Sequence, residues 1–199
     1  MKRICVFCGS NAGHKPVYRE AAVSLGRLLA ERGLEIVYGA GNIGLMGALA
    51  DACLEAGGSV IGVIPESLVG LEVAGRAVDH PSLTRLEVVD SMHTRKARMA
   101  ALADGFIALP GGFGTFEELC EVLTWAQLGF HTKPVGLLNV AGFFNPLLAL
   151  FDQAVEEGFL RAQNRAMALT ATDAEALLAA MAEYEAEPVT QWLTARNQL

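Results

Sequence analysis

A net charge of −7 on 199 residues, 22 acidic against 15 basic, excludes a nucleic-acid binder built on a broad basic surface, so any anion site must be a local cluster of positive groups. The length suits one domain, and 52% hydrophobic residues supply a core without disulfides or metal. No apolar run reaches the roughly eighteen residues of a membrane span. The run opening the chain breaks at Gly9, too short for a secretory signal; the expected setting is the cytoplasm, with no membrane or nucleic-acid partner.

Strand-like and helix-like segments alternate along the chain. ICVFC precedes a helix from Val17 to Glu31, EIVYG precedes one from Gly44 to Ala56, and SVIGVI leads into an irregular stretch, Pro65 to Pro81. RLEVV then precedes a helix from Ser91 to Ala103, FIALP one from Phe116 to Leu128, and PVGLLN one from Phe143 to Glu156. A last strand near Met167 precedes a helix from Asp173 to Glu185. This pattern predicts a single α/β domain over residues 1–199, a Rossmann-like doubly wound parallel sheet with helices on both faces. Ligands of such a sheet sit beyond the carboxyl ends of its strands.

Cys5-x-x-Cys8 superficially matches a redox or zinc motif. Within one strand, however, a spacing of three sends the two thiols to opposite faces, and no second ligand pair stands at zinc-finger spacing. His14, His80, His93 and His131 are scattered. No metal or other cofactor is expected.

Three glycine-rich turns fall at predicted strand ends: Gly9 to Gly13, Gly39 to Gly47 and Gly111 to Gly114. Ser10 of the first and Gly41 of the second are candidate ligand contacts, although Gly39-x-Gly41-x-x-Gly44 also fits a role in packing the following helix on the sheet. The third turn, PGGFGTFEE from Pro110 to Glu118, joins an apolar strand to a helix. Bare glycines let a phosphate reach main-chain amides at the positive end of a helix dipole. Thr115 with Glu118 three residues on also matches a capping box, which needs no ligand. Both readings stay open on the motif alone.

In SMHTRKARM, Ser91 is a candidate N-cap, and Met92, Arg95, Lys96 and Met99 share one helix face. Cations among methionines on one stripe are unlike an ordinary solvated face, though both can snorkel to water.

These two segments, MHTRKARM and PGGFGTFEE, with VYGAGNIGLMG and TWAQLGFHTKPVGLLN, resemble the LOG family of cytokinin riboside 5'-monophosphate phosphoribohydrolases, often labelled lysine decarboxylases. The likeness runs over nearly the whole chain. It implies hydrolysis of the N-glycosidic bond of a nucleoside 5'-monophosphate, without a cofactor, by a homodimer or larger assembly whose site lies near a subunit interface. The implied catalytic pair is Arg95 and Glu118. Implied substrate contacts are Glu72, Lys96 and Thr124, together with the turn from Gly111 and Gly112 through Phe113, Gly114, Thr115 and Phe116 to Glu117. A non-hydrolytic nucleotide or molybdenum-cofactor carrier is the competing expectation. Pyridoxal-dependent decarboxylation needs a Schiff-base lysine, and of Lys2, Lys15, Lys96 and Lys133 just Lys96 adjoins the expected site.

Overall fold

The computed structural model describes residues 1–73, 76–77 and 79–186, with residues 72, 73, 76 and 77 described by backbone alone. Its strands are β1 (Arg3–Phe7), β2 (Glu35–Tyr38), β3 (Val60–Pro65), β4 (Glu72–Val73), β5 (Arg76–Ala77), β6 (Arg85–Val89), β7 (Gly105–Ala108), β8 (Val135–Leu138) and β9 (Ala168–Ala171). The helices are α1 (Pro16–Glu31), α2 (Gly44–Glu55), α3 (Met92–Leu102), α4 (Phe113–Gln127), α5 (Asn145–Glu156), α6 (Ala162–Ala166) and α7 (Ala174–Glu183).

Seven strands form one sheet in the order β6-β3-β2-β1-β7-β8-β9, and every pairing in it is parallel. The chain therefore winds outward from β1 through β2, β3 and β6, then returns to add β7 on the other flank of β1. Register pairs Ile4 with Ile36 on one side and with Gly105 on the other. Connections leaving β1 and β7 diverge to opposite faces, which opens a crevice at their carboxyl ends.

Both faces of the sheet are covered, because successive strand residues point opposite ways. Ile4, Val6, Ile36, Tyr38, Ile107 and Leu109 pack with α1, α2 and α7, while Cys5, Phe7, Val37, Phe106 and Leu137 pack with Met99, Leu102, Leu119 and Val122 of α3 and α4. Cys5 and Cys8 fall in these two separate clusters, as their spacing requires. Among the described residues no group of three or more His, Cys, Asp or Glu is placed to hold a metal, and no helix is long and apolar enough to cross a membrane.

The described residues between Pro65 and Pro81 include regular elements. They hold a 3-10 turn, Glu66–Leu68, and the antiparallel hairpin β4–β5. Boundaries also move by more than one residue: α4 starts at Phe113, three residues before the predicted Phe116, α5 starts at Asn145 rather than Phe143, and α7 ends at Glu183 rather than Glu185. The one-turn α6 carries too few residues to leave a periodic signal.

Candidate active site

The three glycine turns are joined to one another. Gly9 donates its N–H to the Pro110 carbonyl at 3.0 Å, and Leu45 donates to the Gly9 carbonyl at 3.0 Å. Gly44 adopts φ 65° and lies so close to the Ser10 backbone that any side chain there would collide with it. A cavity of ≈ 240 Å³ opens where the turns meet, walled by Cys8, Gly9, Ser10, Gly39, Met46, Arg95, Met99, Glu118 and the start of α4.

Helix α4 opens with Gly112 as its N-cap, without a side-chain cap bond. Phe116 N–H returns to the Gly112 carbonyl at 3.1 Å, so Phe113, Gly114 and Thr115 carry the leading amides of the helix, and all three line the cavity. Such amides are the donors an anion finds at a helix start. The glycines divide by what surrounds them. A Cβ at Gly111 would strike the Thr115 side chain, whereas Gly112 and Gly114 face open space. Gly111 thus closes the turn, and Gly112 and Gly114 leave room for a ligand. The capping-box reading fails here, because Thr115 lies inside the first turn, 3% exposed, and Glu118 turns to a distant partner.

That partner is Arg95. Ser91 caps α3, its Oγ accepting from Thr94 N–H at 3.1 Å, and Arg95 follows one turn later with its head directed inward. Arg95 Nη1 donates to Glu118 Oε1 at 3.1 Å and Nε donates to the Val63 carbonyl at 3.2 Å. Gly39 makes space for the guanidinium, since a Cβ there would overlap it. Both side chains of the pair are 11% exposed, and both line the cavity. Burial raises the Glu118 pKa, against which the Arg95 charge acts. Desolvation prevails, and the nearby Glu117 charge acts in the same direction. A basic carboxylate and a fixed planar cation thus share one wall.

The remaining candidates separate. Ser10 lines the cavity. Lys96 is as buried as Arg95 but reaches sideways to Glu117 and, at 3.0 Å, to Glu121 on α4; it is absent from the cavity wall. Neither cation of the stripe snorkels, although Met92 at its start is exposed. Phe116 stacks on Phe143, ring centroids 6.3 Å apart. Gly41 is buried under Met46 and pairs with Asp79. Thr124 donates to the Cys120 carbonyl at 2.7 Å and opens onto the surface between α4 and α5. The Glu72 side chain lies outside the described residues. Cys8, Gly39, Met46 on α2 and Met99 on α3 also wall the cavity; Gly39 and Met99 belong to the turn and the stripe noted in the sequence, whereas Cys8 and Met46 gave no ligand signal because an apolar residue at a strand end or on a packed helix looks like core.

Pyridoxal phosphate does not fit this site. The Lys96 ammonium is held by two carboxylates, and Lys133 donates to the Ala100 carbonyl at 2.7 Å; neither lysine faces the cavity.

Comparison with known proteins shows the family. The family model described as "Possible lysine decarboxylase" matches residues 46–181. The probable cytokinin riboside 5'-monophosphate phosphoribohydrolase LOGL1 of Oryza sativa subsp. japonica is 51% identical over 195 residues, covering 96% of this chain and 85% of the relative. LOG7 of Arabidopsis thaliana, a cytokinin riboside 5'-monophosphate phosphoribohydrolase, is 52% identical over 186 residues, covering 94% of this chain and 83% of its own. Among solved structures, the molybdenum cofactor carrier protein MCP from Chlamydomonas reinhardtii superposes with a TM-score of 0.65 at 23% identity, covering 91% of this chain and 96% of that one; at this identity the likeness concerns the fold alone. With two-thirds of its length matched by the family model and half of its residues shared with these enzymes, the chain belongs to the LOG-type family of phosphoribohydrolases that the lysine-decarboxylase label covers.

Proposed function

We propose that this protein hydrolyses the N-glycosidic bond of nucleoside 5'-monophosphates, cytokinin riboside 5'-monophosphates and AMP, releasing the free base and ribose 5-phosphate. The observation that carries this reading is a buried arginine–glutamate pair facing the same cavity as the uncapped start of α4. The phosphate sits on the amides of Phe113, Gly114 and Thr115, which places the ribose between that anchor and the Arg95–Glu118 wall.

As the bond from C1' to the base nitrogen lengthens, positive charge builds on the sugar ring. The Glu118 carboxylate stabilises that charge and takes a proton from the attacking water, as one carboxylate does in glycosidases. The water oxygen bonds to C1', the bonding pair leaves with the base, and the base takes up a proton. Arg95, whose planar donors suit sugar and phosphate oxygens, holds the ribose and keeps the carboxylate oriented. Since the Lys96 ammonium is engaged by α4, its contribution is to brace α3 on α4.

The protein acts as a homodimer or larger homo-oligomer. In support, α5 contributes no buried residue although Leu150 on it is 58% exposed and Phe159 beyond it 89% exposed. Thr124 opens on that same surface, where it can reach the site of a second copy.

The test is product analysis. Chromatography of reactions with AMP, isopentenyl-adenosine monophosphate and adenosine should show base and ribose 5-phosphate from the two monophosphates and none from adenosine. Tight nucleotide binding without release of base would overturn the reading in favour of a carrier.

A further inference from the structure

Asp51 and His80 lie outside the cavity and take no part in the steps above. The His80 side chain is 2% exposed, whereas Asp51, on α2, is 60% exposed. His80 Nδ1 accepts the Ser82 N–H at 3.2 Å, which leaves the ring proton on Nε2, facing Asp51 Oδ1 at 3.1 Å. This fixes both tautomer and ring orientation.

The backbone beside this pair grips the turn that follows β2. His80 donates its N–H to the Ala40 carbonyl at 2.9 Å, and Asp79 pairs with Gly41. Ala40 is fully buried at φ 61°, a left-handed conformation that an L-residue rarely adopts and that persists where the surroundings impose it. Gly39, the first residue of the same turn, is the surface against which the Arg95 guanidinium rests. A continuous path of contacts therefore runs from Asp51 through His80 and Ala40 to the arginine of the catalytic pair.

We propose that Asp51 and His80 are positioning residues: the hydrogen bond between them clamps the strained Gly39–Gly41 turn and thereby fixes Arg95 in register with Glu118. The inference rests on the role given to Arg95 above. It also accounts for Gly41, which shapes the turn without lining the cavity.

The experiment compares Asp51→Ala with Asp51→Asn in the full chain, using two readouts. One is kcat and KM for AMP; the other is the 15N Nε–H resonance of Arg95, identified by its loss in Arg95→Lys. Because Asp51 is a surface side chain, both variants fold, which circular dichroism verifies. Asp51→Ala should lower kcat about tenfold or more, the order expected when a reacting group is misplaced by part of an ångström, with KM less affected, and should shift or broaden the Arg95 signal. Asp51→Asn retains an acceptor for the imidazole N–H and should keep both readouts near wild type. An unchanged Arg95 signal and kcat in Asp51→Ala, or equal impairment in the two variants, overturns the proposal. Failure of the wild type to release base would instead refute the hydrolase reading, and the Arg95 resonance would still decide the role of the clamp.

Discussion

Arg95 and Glu118 meet at 3.1 Å with their side chains 11% exposed, 23 positions apart in sequence and on different helices. Removing one partner of a buried pair leaves an uncompensated charge, and that costs more than the pair contributes. The arrangement suits a carboxylate that must stay basic and ordered beside a sugar, and it makes the two residues separable by mutation.

Glu118→Gln keeps an acceptor for the Arg95 guanidinium and removes the base. Turnover should fall by about two to four orders of magnitude, while AMP affinity by calorimetry stays within a few-fold of wild type. Unchanged base release would refute the catalytic assignment. Arg95→Ala should lose both turnover and affinity, and it should melt earlier because it leaves Glu118 buried without its cation.

The glycines of the third turn should respond in opposite directions. Gly111→Ala forces a methyl into Thr115 and should cost about 1–3 kcal/mol by urea unfolding, as overpacking does. Gly114→Ala places a methyl in open space inside a helix and should stabilise the fold by about 0.5–1 kcal/mol. That same methyl intrudes on the proposed phosphate seat and should raise KM for AMP about tenfold or more. A stable Gly114→Ala variant with unchanged KM would remove the anion from the start of α4.

On the proposed role of Glu118 as base, the pH dependence of activity follows from its carboxyl. Its pKa is raised by burial above the ordinary carboxylate value, so the ionised form is lost sooner as pH falls. The acid limb of kcat/KM should lie above the range of a free glutamate. Since the Arg95 charge opposes the rise, the residual activity of an arginine-free variant should show this limb at still higher pH. For the fold the sign is reversed: the ionised carboxylate costs stability at neutral pH, and that cost disappears as it protonates.

His131 contributes to acid stability. Its ring faces the Val122 carbonyl at 2.9 Å and accepts from Lys133 N–H at 3.1 Å, and burial lowers its pKa from 6.5 to about 4. The neutral ring is the native form. Its contribution is therefore complete above pH 6.5 and is lost as pH falls toward 4, amounting to at most about 3 kcal/mol by linkage. Urea midpoints measured between pH 4 and 7 should fall with acidity, and less steeply in His131→Gln.

The alternation of strands and helices, the glycine turns at strand ends and the Ser91 cap were all legible in the sequence, because each depends on residues within one or two turns of each other. Strand order was not, since parallel neighbours such as β1 and β7 pair across about a hundred residues. Arg95 and Lys96 illustrate the division. Adjacent and alike in sequence, they part in the fold, one to Glu118 and the cavity, the other to Glu117 and Glu121. The start of α4 shows it again: Thr115 and Glu118 have the local pattern of a cap, and a long-range guanidinium claims the carboxylate instead. Short-range periodicity fixes which groups are available and on which face, while their partners are decided once packing removes water and each buried charge must find an opposite one.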